Sequence, residues 1–299
     1  MVGMIRKESA PNLSIIIPIA PQGVDYEIVN KVVNRVGQDV EIILVFDGFE
    51  NKLPKDYSPD AFKYSEKIRF LQTNARSPGA SRNLGLANSK GLWVTFWDSD
   101  DSVDLNEFEI ALSENLRTRS DILIYNYEVS TKTSMSRIYK TKVLHNASIN
   151  RVALNPGIWR MIFRKELIQN LEFSSARWGE DQLFFAQVLK SNPIIHFSER
   201  AYYMYKVGFS NQLTSRKEFH QDLKVILSDI NSIKSSTPIA FCFPLQIMSI
   251  RVSLTLIKFG SWKERFVQIS RFAQQALRQN RLRYMQALLF VFLRGKISK

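Results

Sequence analysis

The run Leu13-Ser-Ile-Ile-Ile-Pro18 is short, β-branched and closed by proline. That pattern predicts a strand buried on both faces. Residues 25–37 change period: Ile28, Val29, Val32, Val33 and Val36 recur at spacings of three and four, which predicts an amphipathic helix ending at Gly37. Val40 to Phe46 is a second buried strand, closed by Asp47-Gly48. Lys67 to Gln72 reads as a short strand, and Ser81 to Asn88 as a helix opening after Pro78-Gly79. Leu92 to Trp97 is a strand that runs into acidic residues; Leu105 to Arg117 is a helix and Asp121 to Tyr127 a strand.

Beyond residue 130 the rhythm changes. Thr131 to His145 is polar and β-prone, as in a hairpin. Trp159 to Asn170 and Asp181 to Lys190 are predicted helices, Ile194 to Tyr205 a strand, and the chain after Gln212 mainly helical. The early alternation of strand and helix predicts an α/β fold whose sheet carries helices on both faces. Ligands of such sheets bind beyond the carboxyl ends of the strands, where Asp47 and Asp98 would meet in one crevice.

Composition narrows the chemistry. The 299 residues are 45% hydrophobic, enough for a sizeable core. One cysteine, Cys242, excludes an internal disulfide framework and a cysteine-built zinc site. His145, His196 and His220 are scattered, so a hard metal would rely on carboxylates. Arg6 and Lys7 precede the apolar run Leu13 to Ala20, but Glu8, Pro11 and Asn12 interrupt it, and it reads as a strand rather than a signal peptide. The most apolar later stretch, Phe241 to Ile257, contains Gln246 and Arg251, and no spanning helix is expected. The net charge of +13 is concentrated in the tail: Arg251 to Lys299 holds 11 Lys or Arg against Glu264 alone.

The strongest chemical signal is Phe96-Trp97-Asp98-Ser99-Asp100-Asp101. Three carboxylates in four residues repel one another unless a cation or a set of donors neutralises them. Mg2+ or Mn2+ suits them, since such ions bind through one or two carboxylates plus substrate phosphates. A calcium loop would also place Asp98, Asp100, Ser102 and Glu109 suitably, but Val103 stands where glycine is required. A plain turn, with Asp101 or Asp104 capping the next helix, fits the same residues. Just upstream, Asn74 to Gly85 combines Gly79, a helix start and Arg82, the ingredients of a diphosphate site; a surface ion pair is the other reading of Arg82.

In order and spacing these segments resemble family 2 glycosyltransferases. The resemblance rests on Ser14-Ile-Ile-Ile-Pro18, on Glu41 to Asp47-Gly48, on Ser81-Arg82-Asn83-Leu84-Gly85 and on Asp98 to Asp101, and covers about the first 105 residues. It continues more loosely in Trp159 to Arg164, in Gly179-Glu180-Asp181-Gln182-Leu183-Phe184, and in Tyr202-Tyr203-Met-Tyr205-Lys206 with Ser210. It implies a GT-A-type, Rossmann-like mixed sheet and an inverting transfer from a nucleotide-diphosphate sugar to a hydroxyl. By that likeness Asp98 and Asp100 hold the metal, Pro18, Asp47, Gly79, Arg82, Asp98 and Ser99 the nucleotide, and Asp181 is the general base. From its residues alone, Glu180-Asp181 reads first as a capping and acidic first turn of a helix. This chain departs from the family at Phe46, Phe49 and Ile19-Ala20-Pro21, positions that help hold the base, so UDP is the default donor nucleotide.

The expected organisation is a catalytic domain over 1–215, with a nucleotide half at 12–105 and an acceptor half at 106–215, followed by a basic helical region at 216–299. In that tail Trp262, Phe266, Ile269, Phe272, Ala273 and Ala276 fall at helical spacing. The apolar run Ala287 to Leu293 lies between Arg281 and Arg283 on one side and Arg294, Lys296 and Lys299 on the other. Such a segment suits an anionic membrane surface, a helical domain packed on the catalytic half, or a dimer contact. The expected acceptor is a glycan or lipid-linked saccharide in bacterial surface polysaccharide synthesis, and the expected location is the cytoplasm or the inner face of the cell membrane. A nucleotidyltransferase would need a glycine-rich basic loop after the first strand, which Ile19-Ala-Pro-Gln-Gly23 does not supply. A nucleic-acid binder would need a groove of basic and aromatic residues, whereas the tail's aromatics are expected on a buried stripe, so no nucleic-acid partner is expected. An inactive relative that binds through its tail completes the alternatives.

Overall fold

The computed structural model describes residues 11–21, 26–35, 37, 39–50, 67–115, 118–131, 134–138, 145–207, 220–278 and 281–294. Val36, Ser210, Lys296 and Lys299, and the side chains of Phe272, Ala273 and Ala276, lie outside what is described. In chain order the strands are β1 (Leu13–Ile19), β2 (Val40–Asp47), β3 (Ile68–Thr73), β4 (Trp93–Phe96), β5 (Ser102–Val103), β6 (Ile122–Thr131), β7 (Ser134–Ile138), β8 (Met161–Arg164) and β9 (Ile195–Val207). The helices are α1 (Tyr26–Arg35), α2 (Pro78–Asn88), α3 (Leu105–Asn115), α4 (His145–Val152), α5 (Lys165–Ile168), α6 (Glu180–Lys190), α7 (His220–Ser235), α8 (Ile239–Phe259), α9 (Trp262–Arg278) and α10 (Arg281–Arg294).

The strands form one mixed sheet in the order β3-β2-β1-β4-β8-β6-β9-β5, with β7 paired to β6. The first four are parallel, as the βα alternation requires. β8 then joins β4 and β6 antiparallel, and β5 closes on β9 antiparallel. Pleating sends alternate residues of β1 to opposite faces: Leu13, Ile15, Ile17 and Ile19 pack in one apolar cluster and Ile16 in the other. α1 and α3 cover the first face through residues such as Val29, Val33, Phe108 and Leu112. On the second face, residues of α2, α6, α7, α8 and α10 share a single cluster with Ile43, Val94, Phe96 and Phe163 of the sheet. Helices α7, α8 and α10 are thus part of the same core as the second face of the sheet.

One sequence expectation needs correction. Trp159 to Asn170 is not one helix but a 3-10 turn (Ile158–Arg160), strand β8 and the four-residue helix α5. Met161-Ile-Phe is a continuous buried run between two strands, and a short apolar run carries no period that separates strand from helix. In addition, α8 is long and apolar enough to cross a membrane by length and composition, but 61% of its apolar window is buried inside the protein. It packs against α7, α9 and α10 and serves as the central helix of the C-terminal layer.

Candidate active site

The sheet brings its chemistry to the carboxyl ends of β1, β2 and β4. Asp47, the last residue of β2, is buried and saturated. Its carboxylate accepts the Arg76 amide at 2.7 Å, the Ser77 amide at 2.8 Å and the Ser81 hydroxyl at 3.0 Å. It therefore fixes the loop that starts α2. Ser77 caps that helix, its hydroxyl accepting the Ala80 amide at 3.4 Å. Gly79 is required by close approach: a Cβ there would sit 2.1 Å from the Ser174 carbonyl oxygen. The amino end of α2 is consequently filled by Asp47, by Ser77 and by the chain at 173–175. Pro18 stands one residue before the end of β1, in register with Val45 of β2. The neighbouring Phe46 points to the other face, where its ring meets Phe49 edge-on at 5.4 Å.

β4 delivers the acidic turn, and its three carboxylates meet different fates. Asp101 is 2% exposed and turned inward. It accepts the Tyr203 hydroxyl at 2.7 Å and the Lys206 amide at 2.8 Å, both from β9. The Tyr203 oxygen also accepts the Asp98 amide at 3.1 Å, so one phenol pins both ends of the turn. Asp101 is not the helix cap; Asp104 is, accepting the Asn106 and Glu107 amides at 3.0 and 3.1 Å. Ser102 and Val103 belong to β5, which leaves no calcium loop. Asp98 pairs with Arg82 at 2.7 Å. Burial, and then the charge of Asp98, pushes the Asp100 carboxyl up to about 6. Ser99 sits between these two carboxylates at the apex of the turn.

Arg82 is the link the sequence does not reveal. It is buried, not a surface ion pair, and its other terminal nitrogen reaches Glu180 at 2.7 Å. Burial works against its charge, but Asp98 and Glu180 outweigh it and hold the guanidinium protonated. The Phe173 ring lies 5.6 Å from its centre. The resemblance assigns Arg82 to the nucleotide, whereas both terminal nitrogens here engage protein carboxylates. Glu180 and Asp181 open α6, whose preceding Gly179 adopts φ +83°, a left-handed conformation that suits glycine. Burial first, and then the neighbouring Glu180 charge, pushes the Asp181 carboxyl up to about 7; Arg82 opposes the rise. Arg251 of α8 lies within electrostatic reach of Asp181, its own pKa lowered by burial.

These groups share one locale. The Tyr205 hydroxyl is raised by burial and then by Asp101, Asp98, Asp181 and Asp100 in turn. Trp159 supports this wall from behind, stacking on Tyr203 at 4.6 Å and on Tyr205 at 5.2 Å. Among the described residues, no three His, Cys, Asp or Glu side chains gather into a set that could hold a metal alone. Asp98 and Asp100 could supply two ligands, with the rest from a substrate. A separate cavity of about 660 Å3, lined by Asn12, Asp39, Trp93, Phe108 and Arg164, lies at the opposite ends of the strands.

Comparison with known proteins places this geometry in context. Residues 14–176 match the family model described as Glycosyl transferase family 2. Among relatives, Glycosyltransferase GlyA of Streptococcus pneumoniae is 23% identical over 64% of this chain and 30% of its own length. The uncharacterized glycosyltransferase EpsJ of Bacillus subtilis is 25% identical over 68% of this chain and 63% of its own. The chain thus spans less than two thirds of either relative. Among solved structures, Staphylococcus aureus TarS 1–349 in complex with UDP-GlcNAc superposes with a TM-score of 0.63 at 18% identity, covering 93% of this chain and 79% of that fragment. That likeness shows the fold. TarS is named a poly(ribitol-phosphate) β-N-acetylglucosaminyltransferase.

Proposed function

Because this chain belongs to glycosyl transferase family 2, we propose that it transfers a sugar, with inversion, from a nucleotide-diphosphate donor to a hydroxyl of a glycan or lipid-linked acceptor. The observation that carries the reading is the Arg82 bridge. By binding Asp98 on one side and Glu180 on the other, each at 2.7 Å, it fixes the acidic turn against the helix that bears Asp181. A donor bound at the turn then presents its anomeric carbon beside that helix.

Asp181 is the general base. A carboxyl raised to about 7 is half ionised near neutrality and is basic enough to take a proton from an attacking hydroxyl. Inversion needs one base opposite the leaving group, and the acceptor oxygen bonds to the anomeric carbon as the nucleoside diphosphate departs. Asp98 and Asp100 would hold Mn2+ or Mg2+ together with the donor diphosphate. The fit rests on Asp100, which burial and Asp98 leave short of positive charge. When bound, the ion supplies charge stabilisation to the departing diphosphate. Ser99 meets the diphosphate at the apex of the turn, while Pro18, Asp47, Gly79 and Arg82 shape the floor of the donor site. UDP is the expected nucleotide and UDP-GlcNAc, the ligand of the TarS complex, the first donor to test. The poly(ribitol-phosphate) in the name of TarS supports a polymeric acceptor, and for this chain the proposal is a step of bacterial surface polysaccharide synthesis carried out in the cytoplasm or at the inner face of the cell membrane.

Calorimetry with UDP, GDP, CDP and dTDP, each with and without Mn2+, tests the proposal. One nucleotide should bind in a Mn2+-dependent manner, and Asp98→Ala/Asp100→Ala should abolish that binding. A folded sample that binds none of the four would refute it. The anomeric configuration of the product, read by NMR, tests inversion.

A further inference from the structure

We propose that the outer face of α9 and α10 lies flat on an anionic lipid surface and holds the enzyme to a membrane without crossing it. The proposal does not depend on the sugar-transfer reading. α10 turns a narrow face inward, through Tyr284, Ala287 and Val291, all at most 7% exposed. Its opposite face is apolar as well. Leu282, Met285, Leu289, Phe292 and Leu293 are 49–68% exposed. A helix on the rim of a soluble domain presents polar residues outward, so an apolar outer face marks a surface that awaits a partner.

α9 extends the same feature. Among its described side chains the buried one is Gln268, whereas Trp262, Phe266 and Ile269, which the sequence reading would bury, stand 54–74% exposed at positions i, i+4 and i+7. Ten of the fifteen large hydrophobic side chains described as exposed fall between Phe259 and Leu293, so the feature is one region and not scatter. Among the described side chains, α9 thus buries a glutamine and leaves a tryptophan largely exposed.

Charge selects the partner. The stretch from Trp262 to Lys299 carries nine basic residues and one acid. Exposed Arg265, Arg271 and Arg283 belong to the same two helices as the apolar positions. Apolar side chains that enter the acyl boundary, with arginines beside phosphate headgroups, are the pattern of a helix lying in an interface. Exposed tryptophan suits that depth. A second copy of the chain would set one basic rim against another, and nucleic acid offers phosphate but nothing for the five aliphatic and aromatic side chains of α10.

The test is flotation of the full chain with vesicles of phosphatidylcholine alone and with about one third phosphatidylglycerol added. The protein should float with the anionic vesicles and stay behind with the neutral ones. Leu289→Glu/Phe292→Glu should cut partition by about tenfold or more. Both side chains are already exposed, so circular dichroism should be unchanged. Arg271→Gln/Arg283→Gln should weaken binding and reduce its salt dependence. Brominated lipid should quench fluorescence that disappears in Trp262→Phe. No flotation with anionic vesicles by folded protein overturns the proposal, as does equal flotation of the Leu289/Phe292 double variant. A concentration-dependent dimer that this variant dissociates, without vesicle binding by the parent, would assign the face to a second copy and equally overturn it. Nucleotide binding should be the same in all variants, so the outcome here stands apart from that for the donor site.

Discussion

Replacing Asp181 by asparagine should raise stability while it removes activity. The carboxyl is pushed from 3.8 to about 7 by burial and by Glu180. At about 1.36 kcal/mol per pH unit, holding it ionised above pH 7 costs the folded state about 4 kcal/mol relative to the unfolded chain. The side chain is only partly buried, and solvent screening brings the expected figure nearer to about 2 kcal/mol. The neutral amide avoids that cost, and its oxygen can still accept the Gln182 amide that Asp181 accepts at 2.7 Å. The sign follows from proton linkage. A carboxyl with a raised folded pKa gives the parent its full stability below pH 4, and that stability is lost as pH rises through about 7. The gap between variant and parent should therefore open between pH 4 and 7 and level off above. Urea melts at pH 4.5 and pH 8 (~2 kcal/mol apart in their variant-minus-parent difference) are the assay. Loss of a general base should lower kcat by about 10²–10⁴. A variant no more stable than the parent at pH 8, or a gap of equal size at both pH values, would refute the electrostatic account of this residue.

Two further substitutions probe the frame. Arg82→Lys keeps the charge but cannot reach both Asp98 and Glu180, so one buried carboxylate loses its partner; a loss of about 3 kcal/mol is expected in denaturant melts, with weaker Mn2+-dependent nucleotide binding. Gly79→Ala drives a methyl into the Ser174 carbonyl oxygen; thermal melts should show destabilisation of about 3 kcal/mol, and a neutral result would mean that the approach of α2 to residues 173–175 is looser than described.

What could be read from the sequence was whatever has local period or a local signature. β1 and β2 are apolar runs with turn residues at their ends, α6 is a helix with an acidic first turn, and all three fall within a residue or two of expectation. The acidic turn was legible as chemistry because three carboxylates so close together require an explanation. Pairings across the chain were not. Arg82 and Glu180 are 98 residues apart, and nothing beside either names the other. β8 was hidden because its first three residues are apolar and fully buried and lie against strands on both sides. The tail's apolar positions were visible as a stripe, yet a stripe does not say which way it faces. Only packing shows that Tyr284, Ala287 and Val291 go inward and leave Leu289 and Phe292 outside.

The division of labour inside the acidic turn is the clearest case of function set by distant partners. Asp98, Asp100 and Asp101 are the same residue type within four positions. Their difference comes from β9 and α2. Tyr203 and the Lys206 amide donate to Asp101, and burial with its two acidic neighbours drives that carboxyl well above the usual aspartate range, so it acts as a fixed strut. Arg82 takes one oxygen of Asp98 and leaves the rest of that carboxylate, 29% exposed, facing the crevice. Asp100 has neither partner, and its raised pKa reflects burial beside Asp98 without a full countercharge. A single inward aspartate thus positions two outward ones. Tyr203 does the same for the backbone by accepting the Asp98 amide while it donates to Asp101. The cost of crowding three carboxylates is met on the inner side by permanent donors. On the outer side Arg82 meets part of it at Asp98, and under the proposed function a cation carried with a diphosphate would meet the rest.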